Sequence, residues 1–132
     1  MTRSKTLFRA ALATACLSAG AAAFAADNND EAMRTLAARS GCFACHQVET
    51  GGKGPEGLPP IGPAWRDVSN KYAGQRGAED SLTLTVLGGS NPYASHWKGK
   101  ASGLAMPPNQ VAISEPDARK LVKWILALGP GK

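Results

Sequence analysis

The clearest pattern of apolar and polar positions lies near the C-terminal end of the chain. Leu121, Trp124, Ile125 and Leu128 recur at the three- and four-residue spacing of one helix face, with Lys120 and Lys123 between them. Ser114 supplies an N-cap, Asp117 completes a capping-box pattern, and Gly129-Pro130 ends the segment. The same period marks a first helix through Met33, Leu36, Ala37 and Ser40, where Met33 reads as a core residue. Asp27 to Asp30 offer it N-caps, and Asp30 with Glu31 suits its positive end. Val68 and Tyr72 mark a short helix that starts near Trp65, read as a core aromatic, and closes at Gly74. Residues 78–87 fit two periods. Leu82, Leu84 and Val86 alternate like a strand, whereas Leu82 with Val86 and Leu84 with Leu87 keep helical spacing. No partner strand is visible elsewhere, so helix is the reading, ended by Gly88-Gly89-Ser90-Asn91-Pro92. Every predicted element is helical.

Two long irregular stretches separate these helices. Residues 49–63 form a loop on their glycine and proline content alone. Residues 91–113 carry Tyr93, His96, Trp97 and Met106-Pro107-Pro108-Asn109, and a loop of that length in a compact domain usually has a function.

The first residues read as an address. Arg3, Lys5 and Arg9 make a positive region, Ala10 to Ala23 an apolar run, and Ala23-Phe24-Ala25 a small-x-small cleavage site before Ala26. Residues 1–25 are therefore expected to be a secretory signal peptide that is removed, leaving residues 26–132 as one domain. Cys16 lacks a leucine three residues ahead of it and is read as part of the discarded peptide rather than a lipid anchor. The apolar run is short for a membrane span, so no stable membrane insertion is expected.

Removing that segment changes the charge. The whole chain carries +5, but residues 26–132 hold 12 Lys and Arg against 10 Asp and Glu, a net of +2. Nucleic acid is not an expected partner at that charge. Leu, Ile, Val and Phe supply only 18 of these 107 residues, about 17%, which is below the roughly 20% under which disorder becomes a concern, although the low net charge argues against it. Something other than side chains is expected to fill the interior.

Cys42-Phe43-Ala44-Cys45-His46 names what that is. Read as helix, Cys42, Cys45 and His46 leave one face, with two thiols placed to form thioethers to one porphyrin and an imidazole to reach its iron. A thioredoxin-like pair would need a βαβ setting, and structural zinc a fourth nitrogen or sulfur ligand. Beyond the motif the chain offers only His96 and Cys16. The residues favour one covalent haem c, which would also supply the missing apolar volume.

The chain resembles the small bacterial class I cytochromes c that carry single electrons in the periplasm. The resemblance rests on Gly41 to His46, Gly62-Pro63-Ala64-Trp65-Arg66-Asp67-Val68 and Lys71-Tyr72-Ala73-Gly74-Gln75. It continues through Trp97, Met106-Pro107-Pro108-Asn109 and the helix ending Lys123-Trp124-Ile125-Leu126. It implies an all-α fold whose terminal helices cross beside a haem crevice. It implies His46 and Met106 as axial ligands, the Pro63 carbonyl as acceptor for the His46 ring N–H, Asn109 steadying the Met106 sulfur and Trp97 bonding a propionate. Two intervals are longer than the family's usual ones, residues 47–62 and 98–105.

The expected function is one-electron transfer between periplasmic redox proteins, a donor and an acceptor, and not enzyme catalysis. A thioether ligand favours ferrous iron and raises the potential, and filling both axial positions leaves no room for substrate. His96 is read as a solvent-facing loop residue. The alternative is a haem c subunit of a larger oxidoreductase, such as a molybdenum sulfite dehydrogenase, docking through the enlarged loops. A haem enzyme or gas sensor would instead require Met106 to leave the iron free.

Overall fold

The structure is a computed structural model that describes residues 18–94 and 96–129, with side chains from residue 29 onward. The positive region and most of the apolar run of the expected signal peptide lie outside the described residues. Four α-helices carry the fold: α1 (Ser18–Arg39), α2 (Trp65–Tyr72), α3 (Ala78–Gly88) and α4 (Glu115–Ala127). Single 3₁₀ turns stand at Cys42–Ala44, Pro55–Gly57 and Pro92–Ala94, and the described residues form no strand. The helical reading of residues 78–87 holds, as does the all-α class. Among the described residues no helix is long and apolar enough to cross a membrane.

The first helix departs from its expected start. With residues 1–25 attached the backbone is helical from Ser18, so Asp27 to Asp30 lie within the helix rather than at its end; the expected caps belong to the chain that begins at Ala26. Asp30 therefore lies inside the helix and turns its carboxylate toward α4. Its Oδ2 accepts from Arg34 Nε at 2.6 Å and its Oδ1 from Trp124 Nε1 at 3.0 Å, tying α1 to α4. The Arg34 guanidinium also stands 5.9 Å from the centre of the Trp124 ring.

Helix α4 is the post around which the others pack, touching α1, α2 and α3. Its stripe of Leu121, Trp124 and Ile125 is buried with Ala118, and Val122, which the stripe omitted, is equally buried. Ser114 Oγ caps it by accepting from Asp117 N–H at 3.3 Å. The Asp117 carboxylate does not complete the box; it is engaged by Lys120 at 3.1 Å and Arg39 at 3.7 Å. The last carbonyls of a helix have no partner within it, and here α2 provides them. Ser69 Oγ donates to Leu126 O at 2.9 Å, and the Arg66 guanidinium donates to Leu128 O. On the other side, Arg119 and Lys123 of α4 meet Glu79 of α3, and Arg119 also pairs with Asp80.

The α1–α4 tie is testable through its pH dependence. The Arg34 hydrogen bond, above all, holds the Asp30 carboxyl below its ordinary 3.8, so the unfolded chain takes up the proton first as pH falls. Stability from this group is complete above 3.8 and lost as pH drops through the lower folded value. Asp30→Ala should cost about 1 kcal/mol, or roughly 4–8 °C in Tm, at neutral pH. Melting curves of both proteins should converge as the pH is taken below 3.8.

Candidate haem site

The Cys-x-x-Cys-His segment is not a helix extension as read from its spacing. Gly41 takes a left-handed φ of 74°, which ends α1, and Cys42–Ala44 make one 3₁₀ turn. The turn is tight enough for His46 N–H to reach Cys42 O at 3.0 Å, so the three side chains still converge on one cavity. Burial, foremost, raises the Cys42 thiol above its ordinary value and keeps it neutral.

His46 is oriented from behind. The Pro63 carbonyl lies 2.8 Å from Nδ1, and because a carbonyl only accepts, Nδ1 carries the proton and Nε2 keeps its lone pair. Burial pushes the His46 pKa down by more than this carbonyl raises it, so the ring is neutral and its Nε2 is free to bind a metal. The loop that brings Pro63 back is itself pinned: Gly62 N–H donates to Cys45 O at 2.7 Å, and Trp65 N–H to Gln47 O at 2.9 Å. Trp65 then stacks on the imidazole, ring centres 5.9 Å apart and planes 24° apart, and meets Trp124 edge-on at 5.5 Å. Gly62 is required by space. A Cβ there would stand 2.6 Å from His46 Cε1 and 2.7 Å from Nδ1.

Met106 lines the same cavity, held at the C-terminal end of α3, with Leu121, Val122 and Ile125 of α4 also in the wall. Asn109 differs from its expected contact. Its side-chain N–H groups donate to Pro107 O at 2.6 Å and Val86 O at 3.2 Å, so both are used on backbone beside Met106 rather than on the sulfur. Trp97 is half-buried in the cavity wall, and Lys71 Nζ stands 5.8 Å from its ring centre. His96 is exposed, as expected of a loop residue. Sequence reasoning missed Ser69, Gln47 and Ser90, whose contacts are to distant backbone and leave no mark in residue spacing.

A haem fits what these residues build. No charged side chain is among the described residues lining the cavity, which suits a flat apolar macrocycle. The wall contains two cysteines three apart, a neutral histidine with one free nitrogen, and a thioether. Among the described residues no group of three or more His, Cys, Asp or Glu is placed to hold a bare metal ion.

A family model described as Cytochrome c matches residues 18–129. The chain belongs to the cytochrome c family. It is 36% identical over 97 residues to cytochrome c-551 of Pseudomonas aeruginosa, covering 74% of this chain and 77% of that protein. Against cytochrome c2 of Rhodocyclus tenuis the identity is 40% over 94 residues, or 70% of this chain and 88% of its relative. The crystal structure of Nitrosomonas europaea cytochrome c552 superposes with a TM-score of 0.56 at 38% identity, over 72% of this chain and 98% of that one. This cytochrome c accordingly carries one covalently attached haem c, with Cys42 and Cys45 in the attaching positions, and functions as a single-electron carrier.

The packing of Gly62 on the imidazole gives a direct test. Gly62→Ala forces the His46 ring to move, an overpacking cost of about 1–3 kcal/mol and a Tm loss of roughly 5–20 °C. Gly88→Ala, at a helix end with nothing within 4 Å of the added carbon, should be neutral or stabilising. Thermal melting of the haem-loaded proteins distinguishes them.

Proposed function

We propose that residues 26–132 form a periplasmic one-electron shuttle, released after export by removal of residues 1–25, with His46 and Met106 as the axial ligands of its haem. The observation that carries this reading is that one uncharged cavity is lined by both thiols, His46 and Met106. The haem supplies a ferric/ferrous couple. The chain supplies everything that tunes it. Cys42 and Cys45 tether it, Pro63 fixes the imidazole plane and raises its basicity as outer-shell partners do, and the Met106 thioether favours the ferrous state. Trp97, in the cavity wall, would bond a propionate, and Asn109 holds the Met106 loop through the Pro107 carbonyl.

With His46 and Met106 both holding the iron there would be no open position for a substrate, so the protein would act by outer-sphere transfer and would make and break no covalent substrate bonds. Nothing among the relatives or the described residues favours a sulfite dehydrogenase subunit. Residues 91–105 offer a meeting surface: Leu104 is 83% exposed and Tyr93 92% exposed, and Lys98 and Lys100 are exposed in the same loop. Apolar surface ringed by like charge suits brief encounters with redox proteins of opposite charge.

The ligand assignment is tested on the ferric protein. Met106→Ala should lose the weak near-infrared band of methionine-ligated haem and bind carbon monoxide when reduced. Met106→His should keep six-coordination and lower the potential by at least about 59 mV, the tenfold step of a one-electron couple. Retention of the band by Met106→Ala would overturn the assignment.

The docking role is tested by kinetics. Lys98→Glu combined with Lys100→Glu should slow electron transfer to an acidic redox partner about tenfold at low ionic strength, with the difference closing as salt is added. An unchanged rate at low salt would remove these lysines from the docking surface.

A further inference from the structure

The base of the loop comprising residues 91–105 is closed by one residue outside the haem-attachment motif, Ser90. Ser90 Oγ accepts from Met106 N–H at 2.8 Å, and Ser90 N–H donates to Met106 O at 2.9 Å. Both backbone polar groups of Met106 are thus held by Ser90.

The neighbouring chemistry explains why this bracket matters. Pro107 and Pro108 have no N–H, so Met106 and Asn109 carry the only backbone donors over four residues. Asn109 N–H is used on Val86 O at 3.2 Å and Leu87 O at 3.1 Å, carbonyls that α3 leaves open at its C-terminus. The Met106 donor is used on Ser90. The C-terminal end of α3 and Ser90, two residues beyond it, therefore fix the methionine from both directions. Gly89 lets the two segments approach: its φ is 82°, and a Cβ there would stand 2.8 Å from Met106 O and 3.0 Å from Pro108 N.

Beyond the bracket the loop makes its own contacts. Lys100 and Ala101 N–H donate to Trp97 O, and Ser102 N–H donates to Pro60 O. None of these bonds reaches Met106.

We propose that Ser90 is a positioning residue for the sixth ligand. Its hydroxyl fixes the Met106 amide from outside the loop, so that the ligand-bearing residue is held independently of the contacts made within residues 91–105. This rests on Met106 being that ligand.

The test is competition by imidazole on the ferric, haem-loaded protein, followed through the near-infrared methionine band well below the melting temperature. Loss of one hydrogen bond to the ligand-bearing amide should let imidazole bind Ser90→Ala about tenfold more tightly than the unaltered protein. Ser90→Thr, which keeps the hydroxyl, should restore the original affinity. Ser102→Ala loses only a loop contact to Pro60 O and should leave imidazole binding unchanged. A band absent from the unaltered protein would overturn the Met106 assignment and the role of Ser90 together. A normal band with Ser90→Ala within twofold of the original, or with Ser90→Thr behaving like Ser90→Ala, would overturn the role of Ser90 alone. Equal weakening by Ser102→Ala would show that the ligand is not held independently of the loop.

Discussion

The hydrogen bond from His46 Nδ1 to Pro63 O is the constraint from which the rest of this structure can be traced. It requires the chain to leave the haem-attachment turn, travel outward and return to within 2.8 Å of the imidazole. The return is possible only because residue 62 has no side chain to strike the ring. Once Pro63 is placed, α2 must begin at Trp65, whose indole stacks on the imidazole and abuts Trp124 of α4. Trp124 in turn bonds Asp30 of α1. A single ring orientation is therefore connected, contact by contact, to the crossing of the terminal helices.

The two axial sides are built by different means. Residues 42–65 supply the histidine side as one nearly continuous stretch, folded back on itself by backbone bonds. The methionine side is assembled from the end of α3 and a proline-stiffened segment that reaches it after a long excursion. Local sequence thus specifies the first, and tertiary closure at Ser90 and Asn109 the second. Helix α4 belongs to both, since Leu121, Val122 and Ile125 line the cavity between them.

How much of this was legible follows from the same division. The α4 stripe and its Ser114 cap were readable because burial on one face imposes a period of three and four residues. The haem chemistry was readable because thioether attachment needs two cysteines and a histidine in one turn. The form of that turn was not, since its spacing fits α-helix and the left-handed Gly41 is what breaks it. The start of α1 differs because residues 18–25, which the expected cleavage removes, continue the helix ahead of Asp27. The contacts of Asn109, Ser69 and Ser90 were illegible in principle. Each joins a side chain to backbone far away in sequence, and no periodicity encodes that.

The two enlarged loops, which lie far apart in the chain, are sewn to each other. Ser102 N–H donates to Pro60 O and Gly103 N–H to Ile61 O, both at 2.9 Å, and a Cβ on Gly103 would meet Ile61 O at 2.6 Å. Their lengths are consequently a shared property. Trimming one strands the donors or the carbonyls of the other, so neither is an independent ornament on a shorter cytochrome. Grafted singly into a compact relative, either loop would carry half of a seam; only the pair would transplant the cover it forms at the edge of the cavity.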